Sequence, residues 1–373
     1  MSDTPRLDVR FVPAAFADLP GWDGDDHRQA LAAFLKSCGA VFERAAKGEG
    51  GHSAATPPAL VSACRAAQRS PELASTEAGA RTFFEDHFTP HRVIHDGPGG
   101  LLTGYYEPSI AGSRTRGGPF QIPVFRRPPD LVNLVPESER GAMGHALTHA
   151  RKTATGLEPY ATRGEIEQGA LDGQGLELVW LEDPVDAFFM HIQGSGRIEL
   201  ADGATMRLTY DGKNGHPYTS IGRFLIDNGL FPADRMSLDS LKAWLKEDAE
   251  RGRKTMWQNA SFVFFRELEG AEAESPLGVD AIPLTPGRSL AVDTRFHAIG
   301  TPVYVVAPQL AHATPPGGFR RLMIAQDVGS AIRGPERGDI YFGSGDEAGR
   351  RAGITKHAGS FLVLLGRDGG DRR

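Results

Sequence analysis

Three aspartates in the last third of the chain end apolar runs beside glycine-rich turns: Asp293 in SLAVDT, Asp327 in LMIAQDVGSAIRG and Asp339 in RGDIYFGSGDEAG. An Asp placed there sits where a strand opens onto a loop, and its carboxyl can be partly stripped of water. Such a group holds a proton near neutral pH, which is what a general acid needs. Capping a turn is the more ordinary task of an Asp at a strand end. From these residues alone both readings stay open for each of the three.

Other chemistries find less support. His87, His91 and His95 are spaced by four and would share a helix face, but Pro90 breaks that helix and no Cys or carboxylate completes a ligand set, so no metal site is expected. A Ser-His-Asp hydrolase is not indicated, because the GSG at Gly343 lacks the G-x-S-x-G turn between a strand and a helix. Lys plus Arg number 41 against 47 Asp plus Glu, a net charge of -6 that leaves no electrostatic footprint for nucleic acid. A chain of 373 residues, 40% hydrophobic, has room for two domains. Apolar runs are all too short to span a bilayer.

The elements that must hold those aspartates can be read from periodicity and punctuation. Leu31, Phe34, Leu35 and Cys38 recur at helical spacing behind Asp25 and Asp26, a second helix covers Ala59 to Gln68, and a third runs up to Phe83, Phe84 and Phe88. From Leu101 onward LLTGYYEP, PFQIPVFRRPP, LELVWLED, AFFMHIQGSGRIEL and ATMRLTYDG read as short β-rich runs between Gly, Pro and Asp. A T-x-x-E capping box at Thr162 and Glu165 starts a helix ahead of Ile166. Two more helices are expected, Ser220 to Asn228 closed by Gly229, and Leu238 to Glu250 ending before Gly252. The acidic stretch Glu267 to Pro276 reads as a linker and a domain boundary, after which SLAVD, PVYVV, RLMIAQD, DIYF and SFLVLLG are strands and Ser344 to Glu347 again has capping-box spacing. Cys38 and Cys64 suit either a disulfide or two small buried residues in a helical layer.

The run LMIAQDVGSAIRG…GDIYFGSGDEAG…AGSFLVLL resembles the 3D domain, named for three aspartates, as it occurs in MltA-type lytic transglycosylases. LLTGYYEP, HIQGSGRIEL, YDGKNGHPYTSIG and NASFVFF are similar to that family's other motifs, in the expected order from about Leu101 to Leu365. The fold this resemblance implies is mainly β with N-terminal helices: a double-psi β-barrel from residues 1–105 and 270–373, and a second β-barrel domain inserted at 106–269, with the glycan held in the groove between them. It also implies that Asp339 is the catalytic residue and Asp327 its neighbouring aspartate. The loop VGSAIRGPERG is one residue longer than in enterobacterial members and Ser330 stands where Gly is usual; with the gap set differently, Asp327 becomes the acid.

The activity implied is cleavage of the β-1,4 bond between N-acetylmuramic acid and N-acetylglucosamine in peptidoglycan, with the muramoyl C6 hydroxyl attacking its own C1, so that one carboxyl serves as acid and then base and no cofactor is needed. Thr103, Tyr105 and Tyr106 are expected to contact sugar, since aromatic faces and hydroxyls suit a glycan, although an alternating strand face reads equally well. Gln193, Ser195, Lys213, Asn214 and His216, flanked by glycines, follow as substrate contacts; two β-turns are the bland alternative. An inverting hydrolase using Asp339 with Asp293 or Asp327, and a glycan-binding module without catalysis, are the competing readings. The partners implied are peptidoglycan strands and cell-wall enzyme complexes, met by a monomer. Residues 1–22 carry no basic n-region followed by an apolar stretch and no lipid-attachment Cys, so the periplasmic or outer-membrane-associated location implied by the family is expected to come with a longer precursor.

Overall fold

Asp26 stands just ahead of the first long apolar-periodic stretch, and its side chain accepts the Gln29 N–H at 3.1 Å to start a helix that a left-handed Gly48 closes. In the computed structural model, which describes residues 8–48, 53–134, 147–312 and 318–367, this helix is α1, His27–Lys47. The first seven residues of the N-terminal stretch lie outside the described residues. The further helices are α2 Pro58–Arg69, α3 Glu77–His87, α4 Arg163–Glu165, α5 Pro184–Gln193, α6 Ile221–Asp227, α7 Leu238–Glu247, α8 Ala249–Met256 and α9 Gly345–Gly353. Strands in the first half are β1 Val9–Pro13, β2 Phe88–His95, β3 Leu101–Glu107, β4 Ser109–Ser113, β5 Ile122–Phe125, β6 Leu131–Asn133, β7 His149–Thr153, β8 Gly156–Glu158 and β9 Glu177–Leu181. They continue as β10 Ser195–Leu200, β11 Thr205–Lys213, β12 Val263–Leu268, β13 Ser289–Val292, β14 Pro302–Ala307, β15 Phe319–Asp327, β16 Arg337–Ser344, β17 Lys356–Ala358 and β18 Ser360–Gly366. The chain is thus mainly β with helices.

Contacts divide it into two units, one of Met1–Gly104, Leu277–Phe342 and Thr355–Arg373, the other of Tyr105–Pro276 and Gly343–Ile354. Both divisions of β3 and β16 therefore fall inside a strand, and α9 belongs with the second unit. The first unit is built on a nine-stranded sheet in the order β1-β2-β18-β14-β15-β13-β16-β3-β17. Strands β13 and β14 are buried at every position, which is why SLAV and PVYVVA are apolar on both faces rather than alternating. Helices α1 to α3 cover one side, packing Phe34, Phe83, Phe84 and Phe88 edge-on against one another and against Tyr304, Leu322 and Leu362. A second core of Leu102, Leu290, Val303, Met323, Ile340 and Phe361 forms on the other side. The second unit holds a six-stranded sheet, β12-β11-β10-β4-β9-β5, and a three-stranded one, β6-β7-β8.

Three readings of the sequence need correction. AFFMHIQ is helical, not β: Asp183 accepts the N–H groups of Val185 and Asp186, Pro184 takes the first turn and Gly194 ends α5 at φ 76°. The expected Leu238 to Glu250 helix is two helices, because Asp248 leaves the helical conformation and caps α8. Gly252 lies inside α8 rather than after a helix end, and glycine is needed there because a Cβ would sit 2.1 Å from the Leu245 carbonyl oxygen. Ser344 precedes α9 but does not cap it; its hydroxyl donates to Glu107 Oε2 at 2.6 Å instead. Residues His91 and His95 lie on β2, where His91 Nδ1 meets the Thr89 carbonyl and His95 Nε2 meets Glu336.

Cys38 of α1 and Cys64 of α2, both fully buried, are joined in a disulfide that closes 26 residues. Loop-closure entropy for that length corresponds to roughly 3 kcal/mol of stabilisation. Guanidinium unfolding with and without reductant is expected to differ by about that amount; equal midpoints would show that the helical layer does not depend on the bond.

Candidate active site

Asp339 reaches its place through strand alternation. On β16, Ile340 enters the core while Arg337 and Asp339 take the other face. Gly338 lets this strand approach closely, because a Cβ there would lie 2.8 Å from Phe361 Cζ and 3.0 Å from Leu290 Cδ1. On one side β16 pairs with β13, where Asp339 faces Ala291; on the other its neighbour is β3. From β3 the Thr103 hydroxyl donates to Asp339 Oδ1 at 2.5 Å, and the same oxygen of Thr103 accepts from Arg337 Nη2 at 2.8 Å. Arginine can only donate, so it directs the single Thr103 proton toward the carboxylate. Oδ2 is left to carry a proton.

Burial pushes the Asp339 pKa above the ordinary carboxylate value, and the Thr103 hydrogen bond and the Arg337 charge oppose that rise without cancelling it. The residue as a whole is half-buried, not sealed inside the core. Arg337 was not singled out from the sequence, although its i, i+2 spacing on a strand places it on the Asp339 face. Burial lowers its own pKa, with Asp339 acting in the other direction.

The other two aspartates have different surroundings. Asp293 is 1% exposed and accepts from Arg295 Nε at 3.0 Å and from the Gly334 N–H at 2.8 Å. Burial raises its pKa, but the Arg295 and Gly334 hydrogen bonds and the Arg295 charge outweigh it, and the net displacement is downward. Its oxygens are taken up by Arg295 and the Gly334 N–H, so it anchors the loop ahead of β16. Asp327 ends β15 and accepts the Val328 N–H at 2.9 Å. It too faces Ala291, from the opposite side of β13, which puts the two aspartates about 10 Å apart at Cα, two strand spacings. The Asp339 pKa is raised by burial, and repulsion from Asp327 is not among its causes.

The second unit sorts the remaining candidates. Tyr106 is 5% exposed and lies against Gly349 of α9, so it is a packing residue, not a sugar platform. Its N–H donates to Gln193 Oε1 at 3.1 Å, which leaves the Gln193 amide NH2 without a protein partner among the described residues. Asn214 is fully buried and turned to backbone: it donates to the Ala161 and Ala260 carbonyls at 2.8 Å each and accepts from Phe262 N–H at 2.9 Å. It fixes a turn and cannot also hold substrate. His216 Nε2 donates to the Tyr160 carbonyl at 2.7 Å. Ser195 is 7% exposed on β10, while Tyr105 and Lys213 are half-buried.

Comparisons with known proteins agree with this arrangement. The family model of the MltA specific insert domain matches residues 101–266, and that of the 3D domain matches residues 288–365. A crystal structure of a membrane-bound lytic murein transglycosylase from Agrobacterium tumefaciens superposes with a TM-score of 0.82 at 35% identity, over 96% of this chain and 98% of that one. A structure of Escherichia coli MltA with bound chitohexaose gives a TM-score of 0.66 at 28% identity, covering 98% and 94%. Membrane-bound lytic murein transglycosylase A of Vibrio cholerae is 36% identical over 268 residues, 71% of this chain and 65% of that protein. The match thus spans 65% of the curated relatives' length, less than two thirds. The class is a 3D domain combined with an MltA-specific insert. The chain belongs to the MltA family of lytic murein transglycosylases.

A carboxyl whose proton affinity is raised by burial predicts a signed effect on stability. At low pH Asp339 is protonated folded and unfolded, and Asp339→Asn should match the parent; as pH rises from the ordinary carboxylate value to the raised folded one, the parent must bury a charge and loses stability relative to the variant. Melting temperatures at about pH 2.5 and pH 7 should show the variant gaining a few degrees only at the higher pH. A constant difference would mean the carboxyl is not desolvated.

Proposed function

We propose that this chain is a lytic transglycosylase that cleaves the β-1,4 bond between N-acetylmuramic acid and N-acetylglucosamine in peptidoglycan and leaves a 1,6-anhydromuramoyl end. The observation that carries the reading is a carboxyl whose proton affinity burial raises, Asp339, with one hydrogen bond on Oδ1 and Oδ2 left for a proton. Asp339 donates that proton to the leaving glycosidic oxygen as the C1–O4 bond breaks. The C6 hydroxyl of the same muramoyl residue then bonds to C1 and returns its proton to Asp339. Intramolecular attack of this kind has effective molarities on the order of 10⁵ M or more, which is why no second carboxylate has to activate water.

In this reading Thr103 orients the acid, and Arg337 orients Thr103. Asp327 stands across β13 as the neighbouring aspartate, outside the proton path. Gln193, Tyr105, Ser195, Lys213 and His216 remain candidates for glycan contacts, with the Gln193 NH2 the best presented. The nine-stranded sheet is read as a double-psi β-barrel and the six-stranded sheet as the second barrel of the family. The relatives' names support a location in the cell envelope, and no helix among the described residues is long and apolar enough to cross a membrane.

Mass spectrometry of products from purified murein should find 1,6-anhydromuropeptides, one water lighter than hydrolysis products; reducing muramic acid ends would assign a hydrolase instead. Asp339→Asn should lower turnover by a factor of roughly 10²–10⁴ or more while still binding sacculi, because the amide keeps the shape but moves no proton. Asp327→Asn should be milder. The reverse order of the two variants would make Asp327 the acid. Fractionation of the native host should place the protein in the envelope, and finding it in the cytosol alone would count against both the location and the substrate.

A further inference from the structure

The motif HIQGSGRIEL contains a side chain that neither the packing nor the catalytic reading uses. On β10, Ile198 and Leu200 enter the core, and Arg197 takes the opposite face. Its register partners are Arg207 on β11 and Ser109 on β4. Like charges directly opposite one another across antiparallel strands repel unless something neutralises them. Arg207 is neutralised: its Nε lies 2.7 Å from Glu107 Oε1 and its Nη2 donates to Oε2 at 3.1 Å. Glu107 is wholly buried, and its Oε2 also accepts from Ser344, so that carboxylate is held by Arg207 and Ser344. Glu199, the next acid on the Arg197 face, accepts from Ser109 at 2.7 Å.

Arg197 is left over. It is half-buried, its Nε is shielded from solvent without an acceptor, and its guanidinium has no hydrogen bond or ion pair with any described residue. A guanidinium presents a planar fork that matches a carboxylate, and one that has already lost part of its hydration binds an anion with less desolvation still to come. We infer that Arg197 is a carboxylate-binding residue that takes an acidic group of the glycan strand, an inference that rests on the murein reading above. Murein offers that chemistry from two sources. Peptide stems carry carboxylates, and where a stem has been removed the lactyl group of N-acetylmuramic acid ends in one. Chitin oligosaccharides carry none. Arg197 therefore gives the second unit its preference for an acidic amino-sugar polymer over a neutral one.

The test uses the full chain carrying Asp339→Asn and measures equilibrium binding to three probes of matched length: chitohexaose, murein glycan stripped of its stems, and murein glycan with stems intact. The probe that carries the recognised carboxylate should bind about tenfold or more tighter than chitohexaose at low salt, a difference that screening reduces. Adding Arg197→Gln should erase that advantage while chitohexaose binding stays as it was, which also shows that the variant is folded. Arg197→Lys should keep part of it, as a point charge without the fork. An advantage confined to the stem-bearing probe assigns the stem carboxylates, and one already present in the stripped glycan assigns the lactyl group. A protein that binds all three alike, or a preference that survives Arg197→Gln, overturns the inference. Binding is read without turnover, so failure of the transglycosylase reading would show separately, in the products of the unaltered enzyme.

Discussion

The short hydrogen bond from Thr103 to Asp339 is the interaction around which the first unit is arranged. A carboxyl with two or three donors would be an ordinary anion, and one with none would be a costly orphan. Asp339 has one, from a hydroxyl whose proton is aimed by Arg337. That balance requires β3 and β16 to lie side by side at the right register and the core behind Gly338 to be tight enough to keep water out. Asp293 shows the contrast just past β13: more deeply buried, but met by an arginine and a backbone N–H, its pKa is pulled down and it serves the loop.

Elsewhere the fold uses buried ion pairs and polar knots to hold strand ends. Arg288 and Asp25 form a two-pronged pair at 2.8 and 2.9 Å, and Asp25 also accepts the Leu322 N–H, so the start of α1 is tied to β13 and β15. Arg163 is enclosed by Phe188 and Phe262 and donates to the Asn259 and Ser261 carbonyls. Beside it, burial first and the Arg163 charge second pull the His191 pKa well down, so this histidine of the HIQGSG motif is a neutral core residue. Such pairs cost desolvation and add little net stability, but breaking one leaves a buried charge without a partner.

A place in a motif does not by itself separate packing residues from those that face the site. Tyr106 and Asn214 lie in motifs shared with the family and are structural, the one packed on α9 and the other bonded to three backbone groups. Arg337 and Arg197 drew no attention in the sequence and carry the more specific electrostatics. A motif records that a residue is needed, not whether it is needed by the fold or by the substrate.

Periodicity and punctuation by themselves located the helical layer, most strands and the three strand-end aspartates, because each of those features depends on neighbours within a few residues. The apolar spacing of α1, the two-sided burial of β13 and β14 and the Thr162–Glu165 capping box were all legible in that way. AFFMHIQ was misread because a short, continuously apolar run has no period to favour strand over helix, and the deciding signals, Asp183 and Gly194, stood outside it. Which aspartate is desolvated was beyond the sequence. Asp293, Asp327 and Asp339 have similar local contexts, and what separates them is an arginine two residues on for the first, a strand in between for the second, and for the third a threonine 236 positions away. Burial and long-range hydrogen bonding set a carboxyl's proton affinity, and both exist only once the sheet has been assembled.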